Sequence, residues 1–382
     1  MPAEVRIAVA GSGKTAEIAA RILAERPGTH SASITYTTNG QNEISSRVPR
    51  LLPSEHETMG WFAFLVRHIV RPYLPALHPG IVASGLCFVQ STADIPKGRS
   101  GWRYYLNDRH QPYSARLGTL AKKVLEATSN APIRRLERIY TNLYIDEIQD
   151  LSGADLYVLE ALIRSSINLF GTGDVRQAVL ATSRSDRSNR AYRGVEAMQW
   201  YREKEAGGTC ELTFNEVTTR FNQDIASFSD LIHNPALHLP ATTSTQTENT
   251  GHDGVFLVDE SDFHTYIEHW DQRPTILRIK ATDRELPDTE VLSFGTSKGL
   301  TRTRVAILVA ATGPIGKWLK SKELLKQGTA CGFYVAVTRA QHSVALVTTN
   351  AAKVHRQLHE DFSQQIRLWT PDPEEEGETT SP

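Results

Sequence analysis

The run Tyr144-Ile145-Asp146-Glu147-Ile148-Gln149-Asp150 sets two adjacent carboxylates at the end of an apolar stretch, with a glutamine two places further on. An Asp at a strand end can hold Mg²⁺, directly or through water, and the next Glu can orient a water for attack on phosphorus. The complementary half stands near the start of the chain. There Val5-Arg6-Ile7-Ala8-Val9 runs into Ala10-Gly11-Ser12-Gly13-Lys14-Thr15, and a helical pattern follows from Ala16 to Leu23. In a strand–loop–helix setting the glycines let backbone N–H groups approach phosphate oxygens. Lys14 then reaches the β/γ-phosphates of ATP, and the Thr15 hydroxyl can ligate Mg²⁺. Ala8 occupies the place of the first glycine in the pattern G-x-x-x-x-G-K-[ST]. A third polar group, Asp174 with Gln177, follows the apolar run Ile167 to Phe170, again at the carboxyl end of an expected strand, where open α/β sheets keep their ligands.

The elements that must position these residues alternate. Ser31 to Thr37 reads as a strand and Gln41 to Val48 as the helix it feeds; residues 56–75 carry an aromatic-rich helical pattern with Trp61, Phe62, Phe64, Leu65 and Ile69. Glu211 to Phe214 reads as a strand before a helix from Thr219 to His233. Beyond it, strands are expected at 254–258, 275–279, 290–294, 304–310 and 343–348, with helices at 316–326 and 329–339. Strand–helix alternation of this kind predicts an α/β fold with parallel sheets. Residues 234–252 have linker composition and mark an expected domain boundary, giving 1–233 and 253–370 as domains; 371–382, with four glutamates and three prolines, is an expected disordered tail.

Composition narrows the class. The 382 residues suffice for two domains, and 40% apolar with 22% charged residues is ordinary for a soluble globular protein. A net charge of −1 argues against a generally basic nucleic-acid binder, so any such site must be local. Residues 97–138 supply one candidate, with ten Lys or Arg against three acids and with Trp102, Tyr104, Tyr105 and Tyr113 among them. Cys87, Cys210 and Cys331 are widely spaced and odd in number, which suits neither a disulfide framework nor a zinc site. With no signal-peptide pattern and no apolar run approaching 18 residues, a cytoplasmic protein without a membrane span is expected.

Taken in order, these segments resemble the motif series of the UvrD/Rep-like superfamily 1 helicases, over most of the chain between residues 5 and 349. Ala10 to Thr15 matches the first motif, and Thr35-Tyr36-Thr37 with Glu43 to Val48 looks like the second. Asp146-Glu147-Ile148-Gln149-Asp150 matches the D-E-x-Q-D form, and Gly173-Asp174-Val175-Arg176-Gln177 matches G-D-x-x-Q. Leu212 to Asn215 with Arg220 is similar to the motif that opens on an Asn and an Arg. Ser297-Lys298-Gly299-Leu300 resembles the K-G-L motif, and Tyr334-Val335-Ala336-Val337-Thr338-Arg339-Ala340 the terminal one. The resemblance implies two RecA-like P-loop NTPase domains with ATP and Mg²⁺ in the cleft between them. It implies Glu147 as general base, Gln177 as γ-phosphate sensor, and Arg220 and Arg339 as arginine fingers. It also implies a nucleotide site of Ala10, Gly11, Ser12, Gly13, Lys14, Thr15, Lys298 and Gly299, with Thr15 and Asp146 on the metal. Single-stranded DNA is the implied partner, RNA being undistinguished by these residues. Thr37, Trp61, Phe64, Arg103 and Tyr104 are its candidate contacts, since bases stack on aromatic faces while Lys and Arg follow the phosphates.

Four departures from the family pattern shape the reading. Only nine residues precede Ala10, where the family's adenine-reading segment needs more, and Thr219 stands where an adenine-stacking aromatic is usual. Gly295 and Thr301 replace the His and Glu that flank K-G-L. About 57 residues lie between His233 and the strand at 290, where a large accessory subdomain is usual. Two functions follow as alternatives. One is an ATP-driven single-stranded-DNA translocase or helicase. The other is a nucleic-acid-responsive NTPase switch or regulatory subunit of a partner nuclease, a role that short family members play in bacterial defence against phage. A P-loop kinase of a small molecule would leave Gln177, Arg339 and the second half without work.

Overall fold

Ala3–Ala8 (β1) starts the first sheet, and its burial pattern leaves only Glu4 and Arg6 partly open to solvent. It is joined by His30–Thr35 (β2), Glu55–Gly60 (β3), Asn142–Ile145 (β4), Asn168–Gly173 (β5) and Cys210–Asn215 (β6) in the order β3-β2-β4-β5-β1-β6. Every pair is parallel. Parallel neighbours need crossovers, and helices over 14–23, 38–47, 155–163 and 197–206 supply four of them. The crossover from β3 to β4 is the long one and carries helices over 61–64, 71–77, 114–127 and 131–136. These strands and helices make the first compact unit, Met1–Glu216, and Val217–Pro382 makes the second. The computed structural model describes residues 3–49, 55–89, 91–182, 186, 188–279 and 289–371.

The second unit repeats the plan. Two short strands, Val217–Thr218 (β7) and Thr243–Ser244 (β8), pair with each other. The main sheet contains Gly254–Asp259 (β9), Thr275–Arg278 (β10), Val291–Ser293 (β11), Arg302–Leu308 (β12), Ala340–Thr348 (β13) and Ile366–Leu368 (β14). Its order is β11-β10-β12-β13-β9-β14, again all parallel. One face is closed by Tyr266 and Ile267 over Val258, Ile276, Ala306 and Ala345. Elsewhere in the unit Phe228, Trp318, Phe333 and Phe362 interlock, with Trp318 and Phe362 centroids 4.4 Å apart. Each such fully buried side chain contributes about 1.5–3 kcal/mol. The α/β class with parallel sheets flanked by helices is therefore as the sequence predicts.

Three details differ from the sequence-based expectation. Residues 55–60 are an edge strand, and the helical run begins only at Trp61. The polar alternation His56-Glu57-Thr58 serves the strand: the His56 ring and the Thr58 hydroxyl bond the hydroxyls of Ser31 and Ser33 on β2. Residues 65–70 then wind as a π-helix before the helix continues at Arg71. The segment of linker composition is stitched into the second unit, because β8 pairs with β7 and Thr242 donates both its N–H and its hydroxyl to Asp230. Apart from Pro371, the expected tail lies outside the described residues.

Candidate nucleotide site and aromatic groove

The strand order sets β5 between β1 and β4, so the carboxyl ends of these three neighbours meet at one edge of the first sheet. β1 delivers the glycine loop there, β4 the two carboxylates and β5 the Asp174–Gln177 turn. Gly11 and Gly13 have φ of +75° and +81°, a region in which a side chain is strained, so the loop folds back only with glycine at these points. Gly13 caps the helix Lys14–Leu23, whose Ile18, Ala19 and Ile22 face the core. The Lys14 ammonium is held back on the loop, donating to Val9 O at 3.1 Å and to Ala8 O at 3.4 Å. Ser12 Oγ is buried in the loop with no hydrogen-bond partner among the described residues.

Thr15 Oγ1 donates to Asp146 Oδ2 at 2.9 Å, and the Glu147 N–H donates to Asp146 Oδ1 at 2.9 Å. Burial first and the neighbouring Glu147 charge second push the Asp146 carboxyl up to about 7, against the pull of Lys14 and Thr15. A buried carboxylate beside a second, half-buried one suits a divalent cation. Among the described residues no group of three His, Cys, Asp or Glu side chains could hold one by itself. Gln177 Nε2 donates to Asp174 Oδ2 at 2.9 Å. The strand order thus brings Lys14, Thr15, Asp146, Glu147 and Gln177 to the same end of the first sheet.

The Asp146 shift has a testable sign. Its folded value lies above the ordinary carboxylate range, so from about pH 4 to pH 7 the native state keeps a proton that the unfolded chain has lost, and stability falls as pH rises. Asp146→Asn removes that slope. In thermal melts of nucleotide-free protein, the variant is expected to gain on the wild type as pH rises from 4.5 to 7 and to hold a constant advantage above it. A pH-independent difference contradicts the assignment.

In the second unit, Arg339 is buried at the junction of the helix 327–337 and β13. Its guanidinium donates to Val335 O at 2.9 Å, Leu300 O at 3.0 Å and Thr338 Oγ1 at 3.2 Å. Arg220 Nη1 donates to Thr338 O at 3.3 Å, so both arginines converge on one threonine. Lys298 and Gly299 lie in the turn whose Leu300 carbonyl Arg339 grips; Gly299 has φ +87°.

The nucleic-acid candidates divide. Trp61 and Phe64 are 1% and 0% exposed and stack on each other at 5.9 Å, so they are core residues and not stacking platforms. Their face of the helical run also carries Leu65, His68 and Ile69. The opposite face carries Phe62 and Val66, which line a cavity of about 950 Å³ with Tyr36, Thr37, Phe88, Arg67 and Arg71. Tyr36 meets Phe62 edge-on at 5.6 Å, Phe62 meets Phe88 at 6.0 Å, and Phe88 is 75% exposed. Thr37 Oγ1 accepts from Gly40 N and caps the helix Thr38–Arg47 at the rim. Arg103 and Tyr104 are exposed, Arg103 over the Trp102 ring and Tyr104 beneath Arg116. Sequence reasoning did not single out Phe62 and Phe88, which the structure places on this cavity; the i, i+4 pairing of Phe62 with Val66 is the signal that could have found the first.

No family model matches the chain, and no curated protein matches it. Among solved structures it is similar to the crystal structure of arterivirus nonstructural protein 10, a helicase, at 14% identity and a TM-score of 0.46, over 93% of this chain and 62% of that one. The complex of that arterivirus helicase with DNA aligns over 93% of this chain and 63% of the other, at 14% identity and a TM-score of 0.43. The chain therefore spans a little under two thirds of the length of these structures. No helix among the described residues is long and apolar enough to cross a membrane.

Proposed function

We propose that this chain is an ATP-dependent single-stranded-DNA translocase or helicase of the UvrD/Rep-like superfamily 1 type, with two RecA-like domains. The observation that carries the reading is the Thr15 hydroxyl on the Asp146 carboxylate at 2.9 Å, with Lys14 and Glu147 beside it. Ser12, Gly11, Gly13 and Lys14 would hold the β/γ-phosphates, and Thr15 with Asp146 would hold Mg²⁺. Bound there, the cation neutralises charge on the phosphates. Glu147 orients the attacking water and takes its proton, Lys14 supplies positive charge, and Gln177 reads the γ-phosphate through the turn that Asp174 braces. Arg220 and Arg339 are the arginine fingers that the family resemblance implies, with Lys298 and Gly299 near the nucleotide.

Bases of a single strand would stack along the Tyr36–Phe62–Phe88 series, with Arg67 and Arg71 on the same cavity to meet phosphates. An ATPase titration with single-stranded DNA, duplex and no nucleic acid, repeated with GTP, tests the motor and its nucleobase choice together. Strong stimulation by the single strand is expected, and unchanged turnover at saturating DNA overturns the reading. Phe88→Ala and Phe62→Ala are each expected to raise the half-stimulating DNA concentration by about tenfold, the loss of roughly 1–3 kcal/mol of stacking. Trp61→Ala and Phe64→Ala are expected instead to lower stability by about 3–5 kcal/mol. A groove variant that leaves DNA affinity intact removes the groove from the DNA path.

The regulatory-subunit reading draws on one feature. β10 ends at Arg278 and its parallel neighbour β11 begins at Val291, which leaves no room between them for a large accessory subdomain. Co-purification with a nuclease and no unwinding by the isolated chain favour that reading, whereas processive unwinding alone excludes it.

A further inference from the structure

Gln149 is 2% exposed and lies between the two polar groups of the nucleotide site. Its Nε2 donates to Glu147 Oε2, and its Oε1 accepts from Asp174 N at 3.0 Å. Asp174 is itself fully buried and holds the next turn, with Oδ1 accepting from Arg176 N at 3.0 Å and Oδ2 from Gln177 Nε2 at 2.9 Å. A continuous chain of hydrogen bonds therefore runs from the carboxylate of Glu147 to the amide of Gln177.

The backbone is shaped around this amide. A Cβ at residue 173 would fall 2.0 Å from Gln149 Oε1 and 3.0 Å from Ile148 Cγ1, so β5 must end in glycine for the side chain to pass. Glu147 is held at φ +56°, a conformation rare outside glycine, asparagine and aspartate. On the other side, Tyr201 Oη donates to Ile148 O at 3.1 Å. A carboxamide is also the right chemistry: it presents a donor to a carboxylate and an acceptor to an N–H without charge. A Glu here would set a second carboxylate against Glu147, and an apolar residue would leave the buried Asp174 N–H unpaired.

We propose that Gln149 is a positioning residue that aims the Glu147 carboxylate and ties it to the Asp174–Gln177 turn, so that base and γ-phosphate sensor move as one body. The proposal rests on the hydrolase reading above. Gln149 touches neither nucleotide nor water in this scheme, and its effect is carried through Glu147 and Asp174.

The test uses Gln149→Ala and Gly173→Ala in the full chain, with thermal melts to establish folding. Both are expected to lower kcat about 10–100-fold while the dissociation constant of a fluorescent ATP analogue stays within about twofold. Gly173→Ala acts by displacing the amide, so it should cost little more once Gln149→Ala has already removed that amide. The double variant is then expected to be no slower than the slower single variant. Wild-type kcat in folded Gln149→Ala, or effects that multiply in the double variant, overturns the relay. Gly173→Ala keeps the test decisive should Gln149→Ala fail to fold, because a wild-type kcat there overturns it equally. Two further results separate the readings: no ATP turnover by the wild-type chain overturns the hydrolase reading, and wild-type turnover in Glu147→Gln removes the base that the relay would aim, whereas loss in Glu147→Gln with wild-type kcat in Gln149→Ala rejects the relay alone.

Discussion

Replacing Glu147 by Gln is expected to lower ATP turnover by about 10²–10⁴-fold, the usual contribution of a positioned general base, while the protein still binds nucleotide. The substitution keeps the length and shape of the side chain. It leaves Thr15 on Asp146 at 2.9 Å and Lys14 on the loop carbonyls, which are the contacts assigned to phosphate and cation. It also removes the charge that, after burial, contributes most to the raised Asp146 carboxyl, so Asp146 should ionise more readily in the variant. Lys14→Ala makes the contrast: it deletes a cation from the phosphate site, so affinity for the nucleotide should fall together with turnover. Single-turnover hydrolysis beside equilibrium binding of a fluorescent ATP analogue distinguishes these outcomes. Full turnover in Glu147→Gln removes Glu147 from the chemistry.

That Glu147 can be picked out from sequence follows from how such a site is written. Its residues occupy strand ends, and strands buried on both faces, such as β4 and β5, show as apolar runs that stop at the functional group. The neighbourhood of those ends is not legible, because strand order is a long-range property: nothing local to Gly173 says that β5 separates β1 from β4. The edge strand β3 reads as helix because its residues are polar and pair through side chains with Ser31 and Ser33 of β2. Trp61 and Phe64 illustrate a third limit. Aromatics are recognisable by type, but their burial depends on the phase of a helix that starts only at Trp61, which buries Trp61 and Phe64 and leaves Phe62 partly exposed. Gln149 is visible as a motif letter, yet its work is apparent only with Asp174 N at 3.0 Å from its oxygen.

Arg339 tests the second unit. Arg339→Ala and Arg339→Lys are both expected to reduce turnover by about 10³-fold or more, the scale of an arginine finger. Lysine should fail as fully as alanine, because an ammonium cannot reproduce the planar fork that donates at once to Val335 O, Leu300 O and Thr338 Oγ1. Those same bonds create the ambiguity to resolve. A guanidinium this well engaged also binds the end of the helix 327–337 to the Lys298–Gly299 turn, where a cation is favoured by the helix dipole. Arg220 is the cleaner probe, being only partly buried, with Nη1 donating to Thr338 O at a longer 3.3 Å. If Arg220→Ala and Arg339→Lys both lose turnover and keep nucleotide affinity and melting temperature, the pair acts on the transferring phosphate. If Arg339→Lys melts many degrees lower while Arg220→Ala hydrolyses ATP normally, the arginines are braces of the second unit. The γ-phosphate must then draw its positive charge from Lys14 and the bound cation.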